Sequence, residues 1–311
     1  MRIIDDAMTR RRSLRLLPTL ALLLAGSVQA RPALNWAISN LPPYTIVEKG
    51  LPSDGVVDHL LVLLEREMPQ YAFSYQAGSI ARAIRLLDAG QPVCFTTAIR
   101  TPERERKYFA TDALLLLPLQ LVVRESVRAM LPLNDNGEVL LEPLLNNASL
   151  RGLVVNQRSY SPAIDELLQR RPAKATVSLR SADTGGNVLR MLAAGRGDYT
   201  FERDGVLTHY QALLGPDMGT GREALVSVPI FGITPTIGSF LCPRTPWGRE
   251  RIIALDAALA RLAQGREYRL ALDRWLTPQT AQRYRAAQDA FYRARATPTP
   301  VEQFAPLART P

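Results

Sequence analysis

Cys94-Phe-Thr-Thr-Ala-Ile-Arg-Thr-Pro-Glu-Arg-Glu-Arg-Lys-Tyr-Phe-Ala-Thr-Asp112 changes character twice. From Pro92 to Thr96 it reads as an apolar strand, and it then opens into a hydroxyl-rich turn. A short helix begins at Thr101, where a Thr N-cap, Pro102 at the first helical position and the acidic Glu103 form a helix-start signal. A strand that ends where a helix begins brings free backbone N–H groups, the hydroxyls of Thr97 and Thr101, and Arg104 towards one point in space. That combination suits a small anion, above all a carboxylate.

Upstream, Leu34 to Ser39 alternates as a first strand, and Asn40-Leu-Pro-Pro-Tyr44 is a loop whose two prolines exclude helix. Gly55 to Glu67 has apolar positions at helical spacing, with Asp58 complementing the helix N-terminus. Tyr71 to Tyr75 alternates as a second strand, and Ile80 to Ala89 is a helix that closes at Gly90. Strand, helix, strand, helix, strand is an α/β pattern with a parallel sheet. Downstream, Leu114 to Arg124 is a continuous apolar run containing Pro118, which predicts one buried crossover strand. The order continues with a strand at Leu153–Val155, a helix opening near Ser159 and Ser161, and a strand at Thr176–Leu179. A helix capped around Asp183 and Thr184 follows, then a strand after Asp198. Val226–Ile230 and Thr236–Pro243 read as the return crossover, with helices at Arg249–Arg261 and Arg266–Leu276.

A chain of 311 residues suggests two domains or lobes, and 47% hydrophobic with 22% charged residues is ordinary for a globular protein. The formal net charge is +9, of which five Arg and two Asp in residues 1–30 contribute +3, leaving +6. The basic residues are dispersed and aromatics are only 7%, so there is no nucleic-acid footprint. At the N-terminus, Arg10-Arg-Arg-Ser-Leu-Arg15 precedes the apolar Leu16–Gly26, and Val28-Gln29-Ala30 has the form of a cleavage site. The apolar run is short of the about 18 residues a membrane span needs. Residues 1–30 are therefore expected to be a signal peptide cleaved near Ala30, giving a periplasmic protein. The Pro-rich residues 296–311 are expected to be a disordered tail.

Cys94 and Cys242 both lie in apolar runs, so a structural bridge and two buried thiols both fit an exported chain. His59 and His209 are far apart and no Cys-x-x-Cys occurs, so neither a metal nor a cofactor is expected. Gly219-Thr-Gly221-Arg-Glu-Ala224 matches a dinucleotide fingerprint in letters but precedes a strand, which is the wrong context.

Ile99-Arg-Thr-Pro-Glu-Arg104 followed by Tyr108-Phe-Ala-Thr-Asp112 resembles the T-x-x-R, then F-S segment of family 3 extracellular solute-binding proteins, the periplasmic amino-acid-binding group. Five further stretches resemble that family in its own order. They are Pro42-Pro43-Tyr44, Gly55 to Asp58, Gln157 to Ser161, Ala193 to Asp204, and Arg266 to Leu276. The resemblance implies a type 2 periplasmic-binding fold, with two α/β lobes joined by two crossover strands. Lobe 1 would comprise 31–117 plus 230–295 and lobe 2 would comprise 118–229.

By the same resemblance, Arg104 holds a ligand carboxylate with help from Thr97 and Thr101, and Ser159 gives a second hold. Tyr44 faces the cleft. At the position where the family places the acid for a ligand ammonium, this chain has Arg203, flanked by Glu202 and Asp204. Arg100, Arg158 and Arg203 tilt the cleft positive, favouring an anion over a zwitterion. The function this implies is binding of a small polar or anionic solute, amino-acid-like ones included, for ABC-type uptake. The expected protein is a monomer partnered by an inner-membrane permease or a sensor. The alternatives are a sensory or partner-binding module and a dehydratase-like enzyme on the same fold, in which only Glu202 would serve as a base.

Overall fold

Trp36 has no exposed surface, and its strand is walled by neighbours on both edges. The computed structural model describes residues 31–155, 158, 160–170, 176–179 and 185–305, with the backbone alone at Thr97 and 176–179. The expected signal peptide lies outside the described residues. The elements run β1 (Ala33–Ile38), the small hairpin β2 (Val47–Glu48) and β3 (Leu51–Pro52), α1 (Val56–Glu67), β4 (Ala72–Ala77), α2 (Ile80–Asp88) and β5 (Cys94–Ile99). Then come α3 (Pro102–Lys107), β6 (Tyr108–Leu116), β7 (Gln120–Arg124), α4 (Leu141–Asn146), β8 (Gly152–Val155), α5 (Pro162–Arg170) and β9 (Thr176–Leu179). The rest are α6 (Gly186–Ala193), β10 (Tyr199–Glu202), α7 (Asp204–Leu214), β11 (Leu225–Pro229), β12 (Thr236–Pro243), α8 (Pro246–Leu262), α9 (Arg266–Asp273), α10 (Pro278–Arg283) and α11 (Arg285–Arg295).

Two five-stranded sheets result, one in each lobe. The first has the order β4-β1-β5-β12-β6, with β4, β1 and β5 parallel and β12 antiparallel to both neighbours. The second has the order β11-β7-β10-β8-β9. The first sheet thus takes its strands from residues 33–116 and then 236–243, and the second from residues 120–229. In the first lobe α8 packs on β12 and β6, while α1 packs on α8 and α9. Trp36 meets Phe240 edge-on at 5.0 Å in that core. The second lobe has its own cores, one around Tyr199 and Phe201 and one around Val188, Leu192 and Leu207.

The apolar run from Leu114 is two strands rather than one. Residues 117–119, including Pro118, cross between the sheets, and proline is tolerated there because no ladder partner needs its missing N–H. Cys94 and Cys242 are fully buried on the adjacent antiparallel strands β5 and β12, with Cα atoms 4.3 Å apart, and their sulfurs are bonded. That separation is close to the about 4.5 Å of a non-hydrogen-bonded antiparallel pair.

The expected disordered tail is corrected for residues 296–305. Asp256 on α8, 2% exposed, accepts from the Thr299 N–H at 2.6 Å and from its hydroxyl at 2.9 Å. Phe304 is buried in the first-lobe core, and its carbonyl accepts from Arg249 Nε at 2.8 Å. Composition gave no sign of this, because the partners that order the segment sit on a helix far back in the sequence. Residues 306–311 lie outside the described residues.

Candidate functional site

The first lobe contributes a loop. After β1, a tight turn closes with the Leu41 N–H donating to the Thr45 carbonyl at 2.8 Å, and the Pro42–Pro43 peptide within it is cis. Asp58, 1% exposed, holds the next segment by accepting from the N–H groups of Ile46 at 2.8 Å, Ser53 at 3.2 Å and Gly55 at 2.8 Å. Burial pushes the Asp58 carboxyl up, against the pull of those three donors. Gly55 permits the close approach, since a Cβ there would lie 2.5 Å from the Tyr44 carbonyl oxygen. Asp58 is thus a loop organiser as well as a helix-terminus charge, and it fixes where Tyr44 stands.

The second lobe contributes strand ends, the usual place for a ligand in an open α/β sheet. β10 ends at Glu202, and Arg203 is the next residue, at the start of α7. Arg158 lies just past β8 and grips Glu202 with both arms, Nη1 to Oε2 at 2.7 Å and Nη2 to Oε1 at 2.9 Å. Glu202 Oε1 also accepts from the Arg203 backbone N–H at 2.9 Å. Arg158 is further braced over the Tyr160 ring, 4.9 Å from its centroid.

Between these parts lies a cavity of ≈ 300 Å³, with Asn40, Leu41, Pro42 and Tyr44 on the first-lobe side. Arg158, Gly185, Glu202, Arg203, Val206 and Tyr210 line the second-lobe side. Desolvation is the main cause that pushes the Tyr44 phenol up to about 12, with Arg203 pulling the other way, so at neutral pH it is an uncharged hydrogen-bonding group. Arg203 differs from its neighbours. Its Nε is buried without an acceptor, and among the described residues no carboxylate pairs with its guanidinium.

The structure brings together Tyr44, Glu202 and Arg203 from the sequence-derived set, but not Arg104. Arg104 sits on α3, where its Nη1 donates to the Ile99 carbonyl at 2.6 Å, and it does not line the cavity. Thr101 caps α3 by accepting from the Arg104 N–H at 3.2 Å and is likewise not in the lining. Arg100 pairs with Glu105 and Asp112, both at 2.5 Å. The Thr97 side chain, Ser159, Asp183 and Thr184 lie outside the described residues. Asp204 turns to other partners, accepting from the Ser227 hydroxyl at 2.6 Å and the Thr277 hydroxyl at 2.9 Å.

His59 faces Asp54 at 2.9 Å. His209 is buried on α7 against Tyr210 and Trp275, and burial lowers its pKa. Neither histidine lines the cavity. Val206 and Tyr210 had not been singled out. Their signal was the four-residue spacing on a helix that opens directly after Arg203.

A wider groove of ≈ 500 Å³ lies between α7, β11 and α10. Its two arginines are already paired, Arg283 with Glu138 at 2.5 Å and Arg128 with Glu125 at 3.8 Å, and Asp204 accepts from Ser227 and Thr277 as above.

Two α/β lobes, two crossovers and a cavity at the strand ends between them define a known architecture. The chain has the type 2 periplasmic-binding fold. Solved structures agree at low identity. A probable amino-acid ABC transporter extracellular-binding protein from Bacillus subtilis aligns with a TM-score of 0.60 at 13% identity, over 79% of this chain and 98% of the other. A histidine kinase sensor domain with similarity to periplasmic binding proteins aligns at 0.58 and 18%, over 79% and 96%. An ancestral amino-acid-binding protein, a precursor of cyclohexadienyl dehydratase, aligns at 0.57 and 16%, over 79% and 96%. No protein-family model and no curated protein matches the chain. No helix among the described residues is long and apolar enough to cross a membrane.

Proposed function

We propose that this chain is an exported solute-binding protein of the periplasm whose two lobes close over a small solute in the interlobe cavity and deliver it to an ABC-type permease. The observation that carries the reading is the cavity itself. It lies between a first-lobe loop held by Asp58 and the carboxyl ends of second-lobe strands, and it is lined by an arginine that pairs with no acidic group among the described residues. The disulfide on β5 and β12 supports export, because such bonds persist in oxidising compartments.

Arg203, rather than Arg104, takes the role of anion anchor, with Tyr44 as a neutral hydrogen-bonding wall. Catalysis is disfavoured because Glu202, the candidate base, is already gripped by Arg158. A sensory module is the second reading, favoured by C-terminal helices that span the two lobes. Thr277 before α10 bonds Asp204 and Arg283 on α10 bonds Glu138, while Phe291 and Tyr292 of α11 pack in the first-lobe core, so this pair of helices would register a lobe movement.

The experiment is a thermal-shift panel on residues 31–311 with amino acids, other carboxylates, sugars and polyamines. At least one solute is expected to stabilise the protein, by about 2.7 kcal/mol at a hundredfold excess over its Kd. A panel without any stabilising solute refutes the reading.

A further inference from the structure

Resting on that reading, we infer that the cavity selects small organic anions that carry no ammonium group. The carboxylate would sit on Arg203, and an apolar or aromatic body would lie against Leu41, Pro42, Val206 and Tyr210. Three observations lead there. The first is charge. Among the described residues of the lining, Arg158 and Arg203 set two guanidiniums against the single carboxylate of Glu202, one positive charge in excess. Asp204, next in sequence, is felt at Tyr44, but it does not line the cavity, its oxygens face Ser227 and Thr277, and no ion pair joins it to Arg203.

The second is the state of the acid. Ammonium recognition requires a carboxylate with a free lone pair aimed at the ligand. Glu202 is 4% exposed, receives both arms of Arg158, and takes the Arg203 N–H as well. An incoming ammonium would have to share or displace that bidentate grip and would meet two guanidiniums of its own sign. A carboxylate meets the Arg203 guanidinium, which pairs with no acid among the described residues, and a charge-assisted bond to it is favourable. The third is size. A volume of ≈ 300 Å³ is at the lower end for small-molecule sites and suits one ring or one short branched chain beside the charged head.

The test is titration calorimetry on residues 31–311 with matched pairs, 3-phenylpropanoate against phenylalanine and 4-methylpentanoate against leucine. In at least one pair the acid without an amino group is expected to bind about tenfold tighter or more, and Arg203→Gln is expected to lose about tenfold or more of that affinity. Arg203→Lys should keep part of it. The melting temperature of each variant without solute reports whether it folds.

Equal or tighter binding of the amino acids overturns the selectivity while leaving the solute-binding reading intact. Undiminished binding by Arg203→Gln overturns the anchor. Binding of only an uncharged or cationic solute from the wider panel overturns the inference alone. Failure of every solute in both experiments overturns it together with the reading on which it rests.

Discussion

Arg104 follows β5 of the first lobe by five residues, and Arg203 follows β10 of the second lobe by one. Both carry the same charge at a strand's carboxyl end, yet their surroundings are opposite. Around Arg104 the protein has already supplied acceptors, with Ile99 taking its Nη1 and Glu105 and Asp112 taking the neighbouring Arg100. The acids on either side of Arg203 in the chain face elsewhere, Glu202 to Arg158 and Asp204 to Ser227 and Thr277. A guanidinium is open to a solute only where the fold has not given it an internal partner. The position of a basic residue in a motif does not decide that. The count of internal acceptors does.

The same contrast extends to how each strand end is held. In the first lobe β5 is tied covalently to β12, a cross-link between residues 148 apart in sequence. Replacing both Cys94 and Cys242 by Ala should cost about 4 kcal/mol, since the unfolded chain regains the freedom of a very long loop. Denaturant unfolding of oxidised wild type and the double variant measures it. A loss below about 1 kcal/mol would mean that the first lobe's strand ends gain no rigidity from the bridge.

In the second lobe the corresponding tie is ionic. Glu202→Ala leaves the largely buried Arg158 without its carboxylate and should lower stability by about 3 kcal/mol. If the unfolding midpoint hardly moves, Arg158 has other adequate partners, and the account of Glu202 as a fully engaged acid fails.

Much of the fold was legible because it follows local chemistry. The strand Thr176–Leu179 was expected with the bounds it has, and the Thr101-Pro102-Glu103 signal does start a helix at Pro102. Alternation marked β1 and β4, and helical spacing marked α1. What was not legible depends on partners distant in sequence. Arg158 and Glu202 are 44 residues apart, and nothing in either segment says that one will occupy the other. Asp256 orders Thr299 across 43 residues, so a Pro-rich stretch that reads as disordered is anchored. Arg104 failed to reach the cavity for a subtler reason. Its acceptor is a backbone carbonyl only five residues back, and every residue offers a carbonyl, so side-chain chemistry could not mark Ile99 as the one it would use.

The smallest expected effect is also the sharpest test of the contrast between the two arginines. Arg104→Gln removes one charge-assisted bond to the Ile99 carbonyl on a short helix at the surface. The glutamine amide can still donate, so the loss of stability should stay below about 1 kcal/mol. Solute affinity, measured with whichever solute the thermal-shift panel finds, should be unchanged within about twofold, because no atom of residue 104 lines the cavity. A tenfold loss of affinity in Arg104→Gln, with affinity kept in Arg203→Gln, would reverse the assignment. It would require Arg104 to leave Ile99 and turn into the space between the lobes when the solute arrives. That movement would return the anchor to the first lobe, and an Arg203 guanidinium with no acidic partner among the described residues would then need another explanation.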